Sequence, residues 1–335
     1  MVKWGILGTS FISETMAQAI NNDHGSTIQA IAGRRKLATD AFAQNYAVPT
    51  KYTDYDELIS DPEVDIVYIG LPNHLHHRFI QSAASAGKHI LSEKSLSIDM
   101  EKTHQILEAV IGYDKLVIEG LMYLHHPFTQ KLIELLNSKV IGNIRTISGQ
   151  YCADIAKFVN PDGGGAIYNL GCYPISLLHL VIQNRFGDGI WADAGLKAIG
   201  KESKLDGNIC EASLLIDFPN GVSATIHTAE TFGMYSNFVI VGDEGSLQFE
   251  TNPWLPERSN LLMLTKFSGE KEQFPVNATG NAFDFQVTAI RNAIEQGKKQ
   301  IARPAPSIQD SFEIMKILTQ WEELCFSHLA STKTE

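Results

Sequence analysis

The chain has 335 residues, 44% of them hydrophobic and 19% charged, with a net charge of −11, which is enough length and apolar content for two domains with sizeable cores. The acidic balance repels polyanions, so neither nucleic acid nor an anionic membrane is an expected partner, and no apolar run approaches the roughly 18 residues of a spanning helix. Cys152, Cys172, Cys210 and Cys325 lie far apart with no CxxC spacing, and the amino terminus enters a strand with no leader pattern, so the expectation is a cytoplasmic protein with reduced thiols.

The first part of the chain alternates strand and helix signals. Strands are predicted at Lys3–Leu7, Thr27–Ala32, Ile66–Ile69, His89–Ser92 and Leu116–Glu119, with helices at Ile12–Asn21, Leu37–Tyr46, Asp54–Ser60, Leu75–Ala86 and Ile98–Ile111. Strands separated by helices imply a parallel sheet with right-handed crossovers. After Pro127 the pattern changes. A helix over Phe128–Leu136 precedes longer alternating strands at Ile144–Cys152, Ile209–Phe218, Val222–Thr228, Phe238–Val241 and Ser246–Glu250, with turns at Pro219-Asn220-Gly221 and Gly242-Asp243-Glu244-Gly245. Helices at Gly165–Leu180, Asp284–Gln296 and Ile308–Leu324 are expected to cover one face of this sheet. The fold class is an α/β Rossmann domain (1–122), then an α+β domain (123–335) with a large, mainly antiparallel, open-faced sheet.

Gly8-Thr9-Ser10-Phe11-Ile12-Ser13 occupies the place of a G-x-G-x-x-G turn between a strand and an amphipathic helix. Only the first glycine is present; Ser10 and Ser13 are small enough for backbone to approach a pyrophosphate. The helix amino terminus adds N–H groups and a favourable dipole. The second strand ends in Gly33-Arg34-Arg35-Lys36, and no acid lies between Asp23 and Asp40 to hold a ribose 2′-hydroxyl. Cations there suit a 2′-phosphate, so NADP is expected, with NAD as the alternative. Lys94 follows the His89–Ser92 strand, at the carboxyl edge where a doubly wound sheet places its chemistry.

These residues resemble the Gfo/Idh/MocA oxidoreductase family over nearly the whole length. The motifs are Gly5-Ile6-Leu7-Gly8-Thr9-Ser10, Pro72-Asn73-His74-Leu75-His76, the Ala86–Lys94 segment ending in Ser92-Glu93-Lys94, and Gly163–Tyr173. Met122-Tyr123 with His126-Pro127, Gly171–Pro174, and Gly242–Ser246 followed by Asn252-Pro253-Trp254 are similar to its dimeric dihydrodiol dehydrogenase and NADP-dependent xylose dehydrogenase subgroup.

The resemblance implies hydride transfer between a nicotinamide and a hydroxyl or carbonyl carbon of a sugar, polyol or cyclic diol. It implies Lys94 and Tyr173 as catalytic residues. Gly8, Thr9, Ser10, Phe11, Ile12, Arg34, Arg35, Leu71, Pro72, Asn73, His76, Glu93 and Lys94 are expected on the cofactor, and Lys94, Tyr123, Asn169 and Tyr173 on the substrate. Tyr173 is expected as general acid or base, with the Lys94 ammonium favouring its phenolate. No metal site is expected from His74, His76 and His77, since no carboxylate or cysteine is spaced to complete it. A homodimer or tetramer through the open sheet face is also implied.

The chain departs from the family at two positions. Ser95 replaces the family's proline, which stiffens that loop and is often cis, so Lys94 is expected to be more loosely placed. Asn169 replaces the common aspartate, leaving Tyr173 and Lys94 to work without a carboxylate relay. A rival reading, a nicotinamide-binding sensor with little turnover, draws on the same two departures.

Overall fold

The computed structural model describes residues 1–332. It gathers them into two compact units, Met1–His125 with Ala282–Met315, and His126–Asn281 with the chain from Lys316 onward. The sequence-drawn ranges 1–122 and 123–335 are each continuous, the last three residues of the second lying outside the described ones. The compact units are not continuous, because a late segment returns to the first.

The first unit is built on a fully parallel sheet, ordered β3-β2-β1-β4-β5-β6. Its strands are β1 (Val2–Leu7), β2 (Ser26–Ala32), β3 (Thr50–Tyr52), β4 (Ile66–Ile69), β5 (His89–Ser92) and β6 (Val117–Glu119). Between them run α1 (Phe11–Asn22), α2 (Lys36–Asn45), α3 (Tyr55–Ile59), α4 (His76–Ser85) and α5 (Met100–Val110). The strand order reverses between β1 and β4, the point at which doubly wound sheets open a crevice at their carboxyl ends. The three-residue β3 is absent from the sequence reading; Thr50-Lys51-Tyr52 is too short and too polar to show a period.

The return segment corrects one expectation. Helix α8 (Ala282–Glu295), expected over the second sheet, places Val287, Ile290 and Ala293 in the same buried cluster as Trp4, Met16, Ile20 and Ile28. The spacing of these three residues makes one helical stripe. The pairing is fixed by Arg291, whose Nε donates to Asp23 Oδ2 at 2.8 Å. A stripe seen in sequence tells how a helix is buried but not against which sheet.

The second unit holds an eight-stranded sheet, ordered β14-β13-β12-β11-β7-β10-β9-β8. Its strands are β7 (Ile144–Ala153), β8 (Gly195–Glu202), β9 (Ile209–Asp217), β10 (Ser223–Ala229), β11 (Met234–Gly242), β12 (Gly245–Phe249), β13 (Ser259–Lys266) and β14 (Lys271–Asn277). All neighbours are antiparallel except β10 and β7. The strands absent from the sequence reading, β8, β13 and β14, include both edges, where half the side chains meet water and the apolar alternation fades. Helices α6 (Pro127–Asn137) and α7 (Cys172–Phe186) belong to this unit, and α9 (Ile308–Thr332) divides between the two. Phe128 meets Phe249 edge-to-face at 4.9 Å, joining α6 to the core.

Candidate active-site elements

The cofactor candidates of the first unit gather at the sheet crevice. Gly8, Thr9, Ser10, Arg34, Arg35, Leu71 and Pro72 line one cleft of about 420 Å³, together with Tyr55, Gly70 and Leu75. Gly8 has φ +100°, and a Cβ there would stand 2.6 Å from the carbonyl oxygen of Gly70. Only glycine fits such a position, which keeps the turn between β1 and α1 tight. Ser13 plays a different part from the one expected. It is buried, and its Oγ lies 2.7 Å from where a Cβ on Gly70 would stand, so its small size serves helix-to-strand packing.

Arg34 and Arg35 are exposed at the cleft, and among the described residues neither makes an ion pair, whereas Lys36 is bound to Asp40 at 2.8 Å. Asp40 also accepts from Lys51, and these two ammonium groups hold its carboxyl down at about 2. Two arginines are therefore left facing the cleft without an acidic partner. The strained turn, the helix start and this cationic pair fit a dinucleotide with an extra phosphate. Phe11 is 78% exposed and Ile12 half-buried; neither lines the cleft described. Tyr55 and Leu75 were not among the expected cofactor residues, because α3 and the turn before α4 reach the crevice only when folded.

Asn73, His76 and Glu93 are buried, and Lys94 is half-buried. The two ring nitrogens of His76 each lie 2.7 Å from a backbone carbonyl, Nδ1 from Ser95 and Nε2 from Leu71. Glu93 Oε1 accepts from the Tyr68 hydroxyl at 2.8 Å, and Glu119 Oε1 accepts from the Leu96 backbone N–H at 2.9 Å. Burial raises the pKa of both carboxyls, that of Glu119 to about 7. The Lys94–Ser95 peptide is cis, and Ser95 is fully buried. The loop without its proline is thus closed from both sides, by His76 and by Glu119.

Tyr123, expected on the substrate from the resemblance, belongs to the first unit and is fully buried. Asn169 and Tyr173 belong to the second. The chain enters their helix through Gly164 and Gly165; a Cβ on Gly165 would stand 2.6 Å from the Ile209 carbonyl oxygen. The first turn, Ile167–Gly171, is a π-helix, and α7 then continues past the predicted end to Phe186. Such widened turns are frequent at functional sites. Tyr173 packs edge-to-face on Tyr151 at 5.4 Å and lies 6.4 Å from Trp254, ring centre to ring centre. Burial pushes the Tyr151 phenol up to about 12, so it stays neutral. Ser176 donates to the Tyr173 carbonyl at 3.0 Å, turning its hydroxyl onto the helix backbone. Asn169 Nδ2 donates to Glu230 Oε2 at 2.9 Å, both residues being buried. Glu230 was not singled out in the sequence; no motif marks it.

Comparison with known proteins agrees with this architecture. Residues 2–121 match the family model described as the oxidoreductase family with NAD-binding Rossmann fold, and residues 129–248 match the GFO/IDH/MocA C-terminal domain. An uncharacterised oxidoreductase of Rhizobium meliloti is 30% identical over 277 residues, 81% of this chain and 80% of that protein. Trans-1,2-dihydrobenzene-1,2-diol dehydrogenase of Xenopus tropicalis is 24% identical over 334 residues, covering 95% and 96% of the two chains. The solved structure of KijD10, a 3-ketoreductase from Actinomadura kijaniata, with NADP and TDP-benzene, shares the fold at a TM-score of 0.83 and 24% identity, covering 95% of each chain. With both of its domain models matched and the parallel and antiparallel sheets in place, this chain belongs to the GFO/IDH/MocA family of oxidoreductases.

Proposed function

We propose that the protein is an NADP-dependent oxidoreductase acting on a hydroxyl or carbonyl carbon of a sugar, polyol or cyclic diol. The observation that carries the cofactor choice is the pair Arg34 and Arg35, which face the Gly8–Ser10 cleft without acidic partners. The substrate class draws on the family and on the diol named for the Xenopus relative. Bound nicotinamide would supply or accept the hydride.

The chain's own residues then have distinct tasks. The Gly8–Ser10 turn and the start of α1 offer backbone N–H groups to phosphate, and Arg34 and Arg35 hold the 2′-phosphate. Tyr173 exchanges the proton at the substrate oxygen, and the Lys94 ammonium stabilises negative charge developing on that oxygen. This pairing rests on the family resemblance. Four dispersed cysteines with no CxxC spacing support a reducing compartment, the cytoplasm, and no helix among the described residues is long and apolar enough to cross a membrane.

The open sheet face is proposed as the surface of a homodimer or of a tetramer built from dimers. Ile199 and Leu215 are 57% and 45% exposed there, beside Lys197, Ser213, Thr225 and His227. Gel filtration at micromolar concentration tests it: a species near twice the monomer mass or larger supports it, and a monomer opposes it. The activity is tested by titrating NADPH fluorescence and then screening aldoses, inositols and trans-diols with NADP⁺. Tight NADPH binding with turnover supports the reading; binding with no turnover across the panel points to a sensor.

A further inference from the structure

We propose that Glu230 is a positioning residue of the active site, acting through Asn169: its carboxylate fixes the Asn169 amide one turn ahead of Tyr173 and supplies the negative charge that position 169 lacks. The inference rests on the reading of Tyr173 as the acid–base group.

The geometry is specific. Glu230 follows the last residue of β10 and is 2% exposed; Asn169 is 8% exposed. Their side chains meet at 2.9 Å, Asn169 Nδ2 donating to Glu230 Oε2. The backbone of Glu230 is held three times. Its N–H donates to the Cys210 carbonyl, and its own carbonyl accepts from Ile155 and Ala156, each at 3.0 Å. The carboxylate is therefore presented from a fixed point. Asn169 lies in the π-turn that runs directly into the first turn of α7, which carries Tyr173.

A purely structural role does not account for the choice of a carboxylate. Taking an ionised carboxyl out of water is costly unless a cation or several donors receive it. Among the described residues Glu230 has no salt-bridge partner. The side chains acting on it are the Asn169 amide and the Asp206 carboxylate, and burial raises its pKa. Glutamine at 230 would keep a hydrogen bond to Asn169 without burying charge. An acidic side chain at a buried point where a neutral amide would satisfy the same hydrogen bond points to a use for its charge. A carboxylate also dictates which end of the Asn169 amide faces it, because an ionised carboxyl only accepts. Asn169 Oδ1 is thereby turned away from Glu230, so the amide has one orientation instead of two.

The test uses the full-length protein with NADP⁺ and two alcohols of the proposed class, D-xylose and trans-cyclohexane-1,2-diol. Glu230→Gln is expected to lower kcat at least ten-fold while leaving the NADPH dissociation constant and the substrate KM within about three-fold. The exchange variant, Asn169→Asp with Glu230→Gln, restores one carboxylate and one amide in reversed order. It is expected to recover most of the lost kcat, which a role confined to stability would not produce. The exchange variant also serves if Glu230→Gln alone does not fold. A folded Glu230→Gln with unchanged kcat, or an exchange that restores the melting temperature but not kcat, overturns the inference. Tyr173→Phe separates the two levels. If it retains full turnover, or if wild type oxidises neither alcohol, the site reading and this inference fall together. If Tyr173→Phe is impaired and Glu230→Gln is not, this inference alone falls.

Discussion

The Nδ1 of His76 lies 2.7 Å from the carbonyl oxygen of Ser95, and the same ring reaches the Leu71 carbonyl at 2.7 Å through Nε2. One imidazole therefore stands between the segment lining the cofactor cleft and the loop that carries Lys94, and its single N–H donates to one of the two carbonyls. Each carbonyl favours a proton on the nitrogen facing it, but burial dominates and lowers the ring's pKa to about 4. The sign follows from linkage: a histidine ionising at about 4 when folded and 6.5 when unfolded stabilises the protein fully above 6.5. That contribution is lost as pH falls towards 4, and it is at most roughly 3 kcal/mol. His76→Gln is expected to be less stable than wild type at pH 7 by about 1–3 kcal/mol. The gap should narrow at pH 4.5. Urea unfolding of both proteins at the two pH values checks this; a gap independent of pH would sink it.

Glu119 has the opposite sign. Burial raises its carboxyl from 4.5 to about 7, so between those values the folded state keeps a proton that the unfolded state has lost. Its favourable contribution is full below 4.5 and disappears as pH rises through 7. Glu119→Gln keeps an acceptor for the Leu96 N–H without an ionisable group. The variant is expected to match wild type at pH 4.5 and to exceed its stability at pH 8 by roughly 2–3 kcal/mol. Equal stabilities at pH 8 would contradict the assignment.

Arg34 and Arg35 should set nucleotide preference. Arg34→Ala with Arg35→Ala is expected to weaken NADPH by at least about ten-fold and NADH by no more than about two-fold, since only NADPH carries the 2′-phosphate. Fluorescence titration with both nucleotides reads this directly, and equal losses for the two would argue that the arginines serve the shared pyrophosphate instead.

Tyr173→Phe and Lys94→Met are expected to lower turnover by about 100-fold or more, the scale of lost acid–base or charge stabilisation. Tyr173→Phe should leave the NADPH dissociation constant within about two-fold. Wild-type rates in both variants would refute the proposed roles.

Helix α8 makes domain dissection a sharp test. Ile290→Ala should cost about 2–4 kcal/mol, the usual range for an emptied core site. A fragment of residues 1–122 leaves Trp4, Met16 and Ile20 without the α8 stripe that covers them. It is expected to fold poorly unless residues 282–315 are joined to it. Circular dichroism melts of the two fragments distinguish the cases.

Much of this was legible in the sequence. The β1–α1 turn, the basic end of β2 and the position of Lys94 just past β5 all follow from local pattern, because a buried parallel strand, a glycine turn and an amphipathic helix each leave a short-range signature. The edge strands β8 and β14 left a weaker trace, since water on one side relaxes the apolar alternation. The Ser95 loop was expected to be loose because the local proline is missing; its closure by His76 and Glu119 comes from residues 19 and 23 positions away.

The sequence by itself determined the fold class, the family and the cationic end of β2, all properties of contiguous residues. Only the tertiary structure decided that α8 packs in the first unit, that His76 stands between two loops, and that Asn169 faces Glu230 from 61 positions away. A hydrogen bond between buried side chains depends on where two strands and a helix come to rest. No local periodicity encodes such a meeting.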